Sequence, residues 1–287
     1  MRQGLAALPN LVETVRRHGL RADKGLGQHF LLDANLTDKI ARLCDLGGDS
    51  PPHILEVGPG PGGLTRSLLA AGAAHVTAVE MDARFLPALR EIAEATQRLT
   101  IVQGDALELA PKLSHKLPEG YVIAANLPYN VGTRLLITWL TQRPRRWSQM
   151  VLMFQLEVAE RVVALPGTSA YGRLAVLAQS VADAHIAFTL PAHAFSPPPK
   201  VDSAVVVLRP LAATYAHLDI LGQLTRAAFG QRRKMLRSAL KAFAKSRGLD
   251  ATAWLEGVGV DPTARAETLG VQQFQELAES LDSQAGE

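Results

Sequence analysis

One stretch constrains this chain more than any other. The apolar run Ile54-Leu55-Glu56-Val57 passes directly into Gly58-Pro59-Gly60-Pro61-Gly62-Gly63, and a helical pattern follows. A strand feeding a glycine turn and then a helix opens a βα unit. Its turn lets backbone approach a ligand closely, and its helix presents unpaired amides. The next apolar strand ends in Glu80, placed where a carboxylate accepts hydrogen bonds from ribose hydroxyls. These features predict a nucleoside-containing cofactor. A dinucleotide site uses G-x-G-x-x-G to bring a helix against the pyrophosphate. Here the frame is Glu56-x-Gly58-x-Gly60-x-Gly62 with Pro61 after the second glycine, which favours S-adenosylmethionine (SAM), a ligand with no phosphate to cradle. Gly104-Asp105-Ala106, after the third strand, offers a carboxylate to the amino group of its adenine.

The pattern around this unit sets the fold class. Nearly continuous apolar runs at 53–57, 75–80, 99–103, 121–126 and 149–155 read as central parallel strands buried on both faces. Helical stretches at 63–71, 82–95 and 133–142 separate them, which predicts an α/β domain. Strands at 185–190 and 201–209 flank Pro197-Pro198-Pro199 and are expected as an antiparallel pair at the sheet edge. After Pro210 only helices are expected, at 215–229, 232–246, 251–256 and 271–282. The predicted domains are therefore 1–210, with 1–30 as an N-terminal segment, and 211–287.

The fourth strand ends in Asn126-Leu127-Pro128-Tyr129-Asn130. Ligands of such sheets sit at the carboxyl ends of the strands, so Asn126 is expected to face the crevice shared by Gly58 and Glu80. The exocyclic amine of adenine is a poor nucleophile because its lone pair is delocalised into the ring. The Asn126 side-chain carbonyl and the Leu127 backbone carbonyl would accept its two hydrogens and aim the lone pair at a sulfonium methyl. Tyr129 is placed to stack on the base.

Composition narrows the partners. The only cysteine is Cys44, which excludes intramolecular disulfides and multi-cysteine zinc sites and points to a reducing compartment. The histidines lack metal-ligand spacing, so no metal is expected. No run approaches the roughly 20 apolar residues of a membrane helix, and the N-terminus has no secretory h-region. Net charge is only +3, yet residues 221–248 carry Arg226, Arg232, Arg233, Lys234, Arg237, Lys241, Lys245 and Arg247 without an acid. That segment reads as amphipathic and helical, broken at Gly230, with a basic face suited either to solvent or to phosphates.

Several motifs in order resemble the ribosomal RNA adenine dimethyltransferase family, and most closely its small-subunit branch. They are Gly27-Gln28-His29-Phe30-Leu31, the Asn126–Asn130 segment, Tyr171-Gly172-Arg173-Leu174, Phe195-Ser196-Pro197-Pro198-Pro199-Lys200-Val201-Asp202-Ser203 and Phe229-x-Gln231-Arg232-Arg233-Lys234. The resemblance implies a Rossmann-like class I SAM-dependent methyltransferase domain, with a seven-stranded mostly parallel sheet and a small C-terminal helical RNA-binding domain. It implies cofactor contacts from His29, Leu31, Gly58, Glu80, Asp105 and Asn126. His29 stands where the family often has Asn. Phe195 would sandwich the target base opposite Tyr129. The implied activity is dimethylation of two adjacent adenosines near the 3′ end of small-subunit (16S) rRNA by a cytoplasmic monomer, with a role in subunit biogenesis. Large-subunit rRNA or DNA as substrate, and a non-catalytic assembly factor, remain the alternatives.

Overall fold

The computed structural model describes residues 3–23, 25, 27–47, 50–213 and 215–282. In chain order its elements begin α1 (Gln3–Ala6), α2 (Leu11–Arg17), β1 (Phe30–Leu31), α3 (Ala34–Ala41), β2 (His53–Val57), α4 (Gly63–Ala71), β3 (His75–Glu80), α5 (Leu86–Thr96), β4 (Leu99–Gln103), α6 (Ala106–Ser114), β5 (Tyr121–Asn126), α7 (Gly132–Thr141) and β6 (Trp147–Gln155). They continue through α8 (Leu156–Val163), α9 (Arg173–Gln179), β7 (Ala182–Leu190), β8 (Phe195–Ser196), β9 (Ser203–Pro210), α10 (Leu218–Gly230), α11 (Leu236–Ala239), α12 (Lys241–Lys245), α13 (Ala251–Gly257) and α14 (Val271–Asp282).

Seven strands form one sheet in the order β4-β3-β2-β5-β6-β9-β7. The pairs β3/β4, β2/β3, β2/β5 and β5/β6 are parallel, and β9 runs antiparallel to β6. The sheet is thus the mostly parallel one expected, with β9 inserted between β6 and β7. Central residues such as Ile54, Leu55, Val76, Ala78, Ile123 and Ala124 are fully buried. That accounts for the unbroken apolar runs, since both faces of a parallel sheet are covered. From β2 the chain moves outward through β3 and β4, then returns to place β5 on the other side of β2. The carboxyl ends of β2 and β5 therefore flank a switch point, where an open α/β sheet leaves a crevice.

Local chemistry sets the element ends. Asp33 and Asp105 cap α3 and α6 by accepting the N–H groups of Asn35 and Leu107, each at 2.8 Å. The stretch expected as one helix over 82–95 opens as a 3-10 turn at Ala83–Phe85, because Asp82 caps the Arg84 N–H and Pro87 resets the start of α5. Gly62 precedes α4 at φ +89°, and a Cβ there would meet Ile92 Cδ1 at 2.4 Å. Only glycine admits both the left-handed turn and the close packing of α5.

The chain divides into two compact units. One comprises residues up to Ala159 together with His185–Pro210, and contains the glycine turn. The other comprises Glu160–Ala184 and the residues from Leu211 onward. The segment 160–184 thus groups with the C-terminal helices and not with the first domain, where the sequence boundary at 210 had put it. Contacts distant in sequence decide this: α9 packs on α10, and Tyr171 meets Phe229 edge-on at a centroid distance of 6.0 Å. Phe229 in turn lies 5.5 Å from Phe274 of α14.

The helix expected over 232–246 is broken in this second unit. Met235 is extended and bridges Arg265, while the N–H groups of Leu236 and Arg237 bond to the carbonyls of Ala264 and Pro262. Those bonds divert the backbone, and only the short α11 and α12 follow. Among the described residues no helix is long and apolar enough to cross a membrane.

Candidate active site

The crevice at the carboxyl ends of β2, β3 and β5 is a pocket within the first unit. Its walls come from His29–Leu31, Glu56, the turn Gly58–Pro61, Glu80 and Asn126–Tyr129. Seven of the nine residues singled out from the sequence therefore line one cavity: His29, Leu31, Gly58, Glu80, Asn126, Leu127 and Tyr129. The N-terminal segment reaches it because β1 pairs with β8, setting Leu31 opposite Phe195 and Phe30 opposite Ser196.

Glu80 is 6 % exposed. Its Oε2 accepts the Gly60 N–H at 3.0 Å and its Oε1 the Asp82 N–H at 2.8 Å. Burial raises its pKa even though these bonds favour the anion. The carboxylate thus holds the glycine turn while keeping lone pairs for a ligand. Beside it, Asp82 is held well down at about 2, first of all by its hydrogen bonds from Arg84. Gln28 Nε2 donates to Asp82 at 3.0 Å, which anchors the N-terminal segment near the site.

Asn126 donates from Nδ2 to the His29 carbonyl at 3.5 Å. The His29 ring lies 5.5 Å from that of Tyr129, and its Nδ1 is 2.8 Å from the Pro197 carbonyl. The Tyr129 hydroxyl is 2.7 Å from Ser203 Oγ. Three chain segments far apart in sequence are thereby joined around the turn that follows β5.

Two expected residues stand elsewhere. Asp105 is exposed, lies outside the pocket lining and spends one carboxylate oxygen on capping α6. The Gly104 N–H bonds the Glu80 carbonyl at 2.9 Å, so Asp105 still sits at the same edge of the sheet. Phe195 is only 4 % exposed and packs in the hydrophobic core behind β1. It is not part of the pocket lining, although Leu31, its partner in the β1–β8 ladder, is.

Sequence reading gave Glu56 no role, yet it lines the cavity while 1 % exposed. Thr65 Oγ1 donates to it at 2.7 Å, and burial pushes its pKa up to about 8. The available signal was one acid inside an otherwise apolar strand. Thr37 of α3 and Phe85 also line the pocket and carried no such signal.

The basic segment of the second unit is not uniformly available. Arg232 is engaged by Glu267 at 2.7 Å and by the Ser169 carbonyl at 2.8 Å. Arg247 stacks on Phe243 at 3.8 Å and donates to Gln223. Arg233, Lys234, Arg237, Lys241 and Lys245 are exposed. Among the described residues no group of three or more His, Cys, Asp or Glu side chains is placed to hold a metal ion.

Sheet order, glycine turn and acid-lined crevice together define a class I methyltransferase fold. It matches a dimethyladenosine transferase from Plasmodium falciparum with a TM-score of 0.76 and 26 % identity, over 90 % of this chain and 98 % of that one. The 23S rRNA methyltransferase ErmE matches with a TM-score of 0.64 and 28 % identity, over 88 % of this chain and 99 % of that one. The ribosomal RNA adenine dimethylase family matches residues 19–283, and this chain belongs to it. A ribosomal RNA small subunit methyltransferase A from Maricaulis maris is 54 % identical over 96 % of this chain and 95 % of its own length.

Proposed function

We propose that this chain uses SAM to dimethylate two adjacent adenosines near the 3′ end of small-subunit (16S) rRNA, as a cytoplasmic monomer acting on the small ribosomal subunit during its biogenesis. The observation that carries this reading is the gathering of Asn126, Leu127 and Tyr129 with Gly58 and Glu80 in one pocket. The lining suits SAM in its charge. Among the described residues it contains Glu56 and Glu80 and no Lys or Arg, which matches a cationic ligand and gives a pyrophosphate no counter-charge there. Gly58 is at φ +67°, a left-handed conformation that favours glycine, and it presents backbone to the pocket.

When bound, SAM supplies an electrophilic sulfonium methyl. Glu80 takes the ribose hydroxyls, Gly58 the methionine portion and Asp105 the adenine amine, with His29 and Leu31 closing the N-terminal side. The Asn126 Nδ2–His29 bond leaves the side-chain carbonyl of Asn126 for the target amine. With the Leu127 backbone carbonyl it accepts both amine hydrogens and draws the nitrogen toward tetrahedral geometry. Tyr129 stacks on the extruded base for roughly 1–3 kcal/mol, offsetting an extrusion cost of a few kcal/mol. Phe195 acts from behind the wall, by holding β1. The exposed cations of residues 233–245 track RNA phosphates.

Identity of 54 % to a small-subunit methyltransferase, against 28 % to a 23S rRNA methyltransferase, supports the small subunit as substrate. The test is transfer of radiolabelled methyl from SAM to small subunits lacking the modification, beside large subunits, naked rRNA and DNA. Dimethyladenosine confined to the small subunit is expected. Label elsewhere would move the substrate, and tight subunit binding with no label would leave an assembly factor.

A further inference from the structure

The Tyr171-Gly172-Arg173-Leu174 motif takes no part in the pocket, and its architecture points to a second site. The Tyr171 ring is fully buried and packs edge-on against Phe229. A Cβ at Gly172 would stand 4.0 Å from Phe229 Cδ1, so the backbone of this turn lies on α10. Arg226 is three residues before Phe229 and shares its face of the helix. Arg173 opens α9, α9 packs on α10, and the charge of Arg226 on α10 acts on Arg173 as a near neighbour.

Neither arginine side chain has a hydrogen bond or an ion pair among the described residues. Arg173 is half-buried, and its Nε is buried without any partner. Burial and the neighbouring Arg226 charge both pull its pKa below the ordinary arginine range. Elsewhere in the same unit Arg232 has a carboxylate and Arg247 an aromatic face and an amide. A half-buried guanidinium with no acceptor beside a second cation costs free energy in the free protein. An anion at the outer guanidinium nitrogens offsets the repulsion and the cost of holding this charge half-buried. A phosphate suits two planar guanidinium forks particularly well, because each can donate two parallel N–H bonds to its oxygens.

We propose that Arg173 and Arg226 together clasp one backbone phosphate of the RNA substrate, a contact separate from the exposed cations of residues 233–245. This rests on the RNA-methyltransferase reading above.

The test combines binding and melting on the full chain, wild type against Arg226→Gln, Arg173→Gln and the double variant. Affinity for unmethylated small subunits is measured across a salt series, SAM affinity is measured alone, and each free protein is melted. Either single variant is expected to lose about three- to tenfold in subunit affinity, and its salt slope is expected to fall by about one. The double variant should lose little more than a single one, since both groups serve the same phosphate. SAM affinity should not move. Arg226→Gln should melt no lower than wild type, because it relieves repulsion, which a purely structural arginine would not do. Unchanged subunit affinity and slope in the variants, or a clearly lowered melting point for Arg226→Gln, would overturn the phosphate clasp. Failure of the wild type itself to bind small subunits would instead bring down the functional reading on which it rests.

Discussion

The Tyr129 hydroxyl lies 2.7 Å from the Oγ of Ser203, a fully buried residue at the first position of β9. In the β6–β9 ladder Ser203 stands opposite Gln155, so its position is set by the sheet. The ring on the turn after β5 is therefore steadied by a strand two places across. Burial raises the pKa of this tyrosine, so the hydroxyl stays protonated near neutral pH and the bond persists. Ser203→Ala and Tyr129→Phe each remove the bond and should lower the methyl-transfer rate by about three- to tenfold, with SAM affinity unchanged. The double variant should match the singles. Fully multiplicative losses would show that the two side chains act independently.

Among the described residues the Asn126 side chain makes one long bond, to the His29 carbonyl, so its removal leaves the pocket wall intact and takes away an acceptor for the amine. Asn126→Ala should slow single-turnover methyl transfer by about two to three orders of magnitude. SAM binding, measured by calorimetry, should stay within about tenfold. Near-normal turnover would sink the role assigned to this side chain.

Sequence made the first unit largely legible, and for a physical reason. Four parallel strands, 53–57, 75–80, 99–103 and 121–126, were readable to the residue because each is a mostly apolar, β-branched run that stops at a glycine, an acid, a glutamine or an asparagine, and three of them are buried within the sheet. The pocket was readable through the same ends. What escaped depended on contacts between distant segments. Nothing local says that residues 160–184 join the C-terminal helices, since the Tyr171–Phe229 contact decides it. Nothing local says that Phe195 is buried in the core and leaves the pocket lining, since segments distant in sequence pack around it. Amphipathic spacing over 232–246 promised one helix, but bonds to the segment 262–265 broke it.

Glu80 binds the glycine turn and offers the same carboxylate to the ligand. Glu80→Ala should weaken SAM affinity by about ten- to a hundredfold, with a smaller effect on the rate at saturating SAM. Because its pKa is raised, wild-type affinity should also fall as acid protonates the carboxylate, and that part of the pH dependence should vanish in the variant. Equal pH profiles for the two proteins would place the ligand's hydroxyls elsewhere.

Glu56 makes stability depend on pH in the sense opposite to a salt-bridged acid. Its carboxyl titrates near 4.5 in an unfolded chain and at about 8 when buried. Between those values the native state keeps a proton that the unfolded state releases, so stability falls as pH rises through this window and levels off above about 8. Glu56→Gln resembles the protonated acid and still accepts from Thr65 through its amide carbonyl. Without ligand it should melt close to wild type at pH 5 and on the order of 5 °C higher at pH 8.5. Saturating SAM should narrow that gap, because the ligand's positive charge stabilises the Glu56 anion in wild type and has no anion to act on in the variant. Parallel melting curves across the whole range would show that Glu56 is ionised in the folded protein at every pH tested.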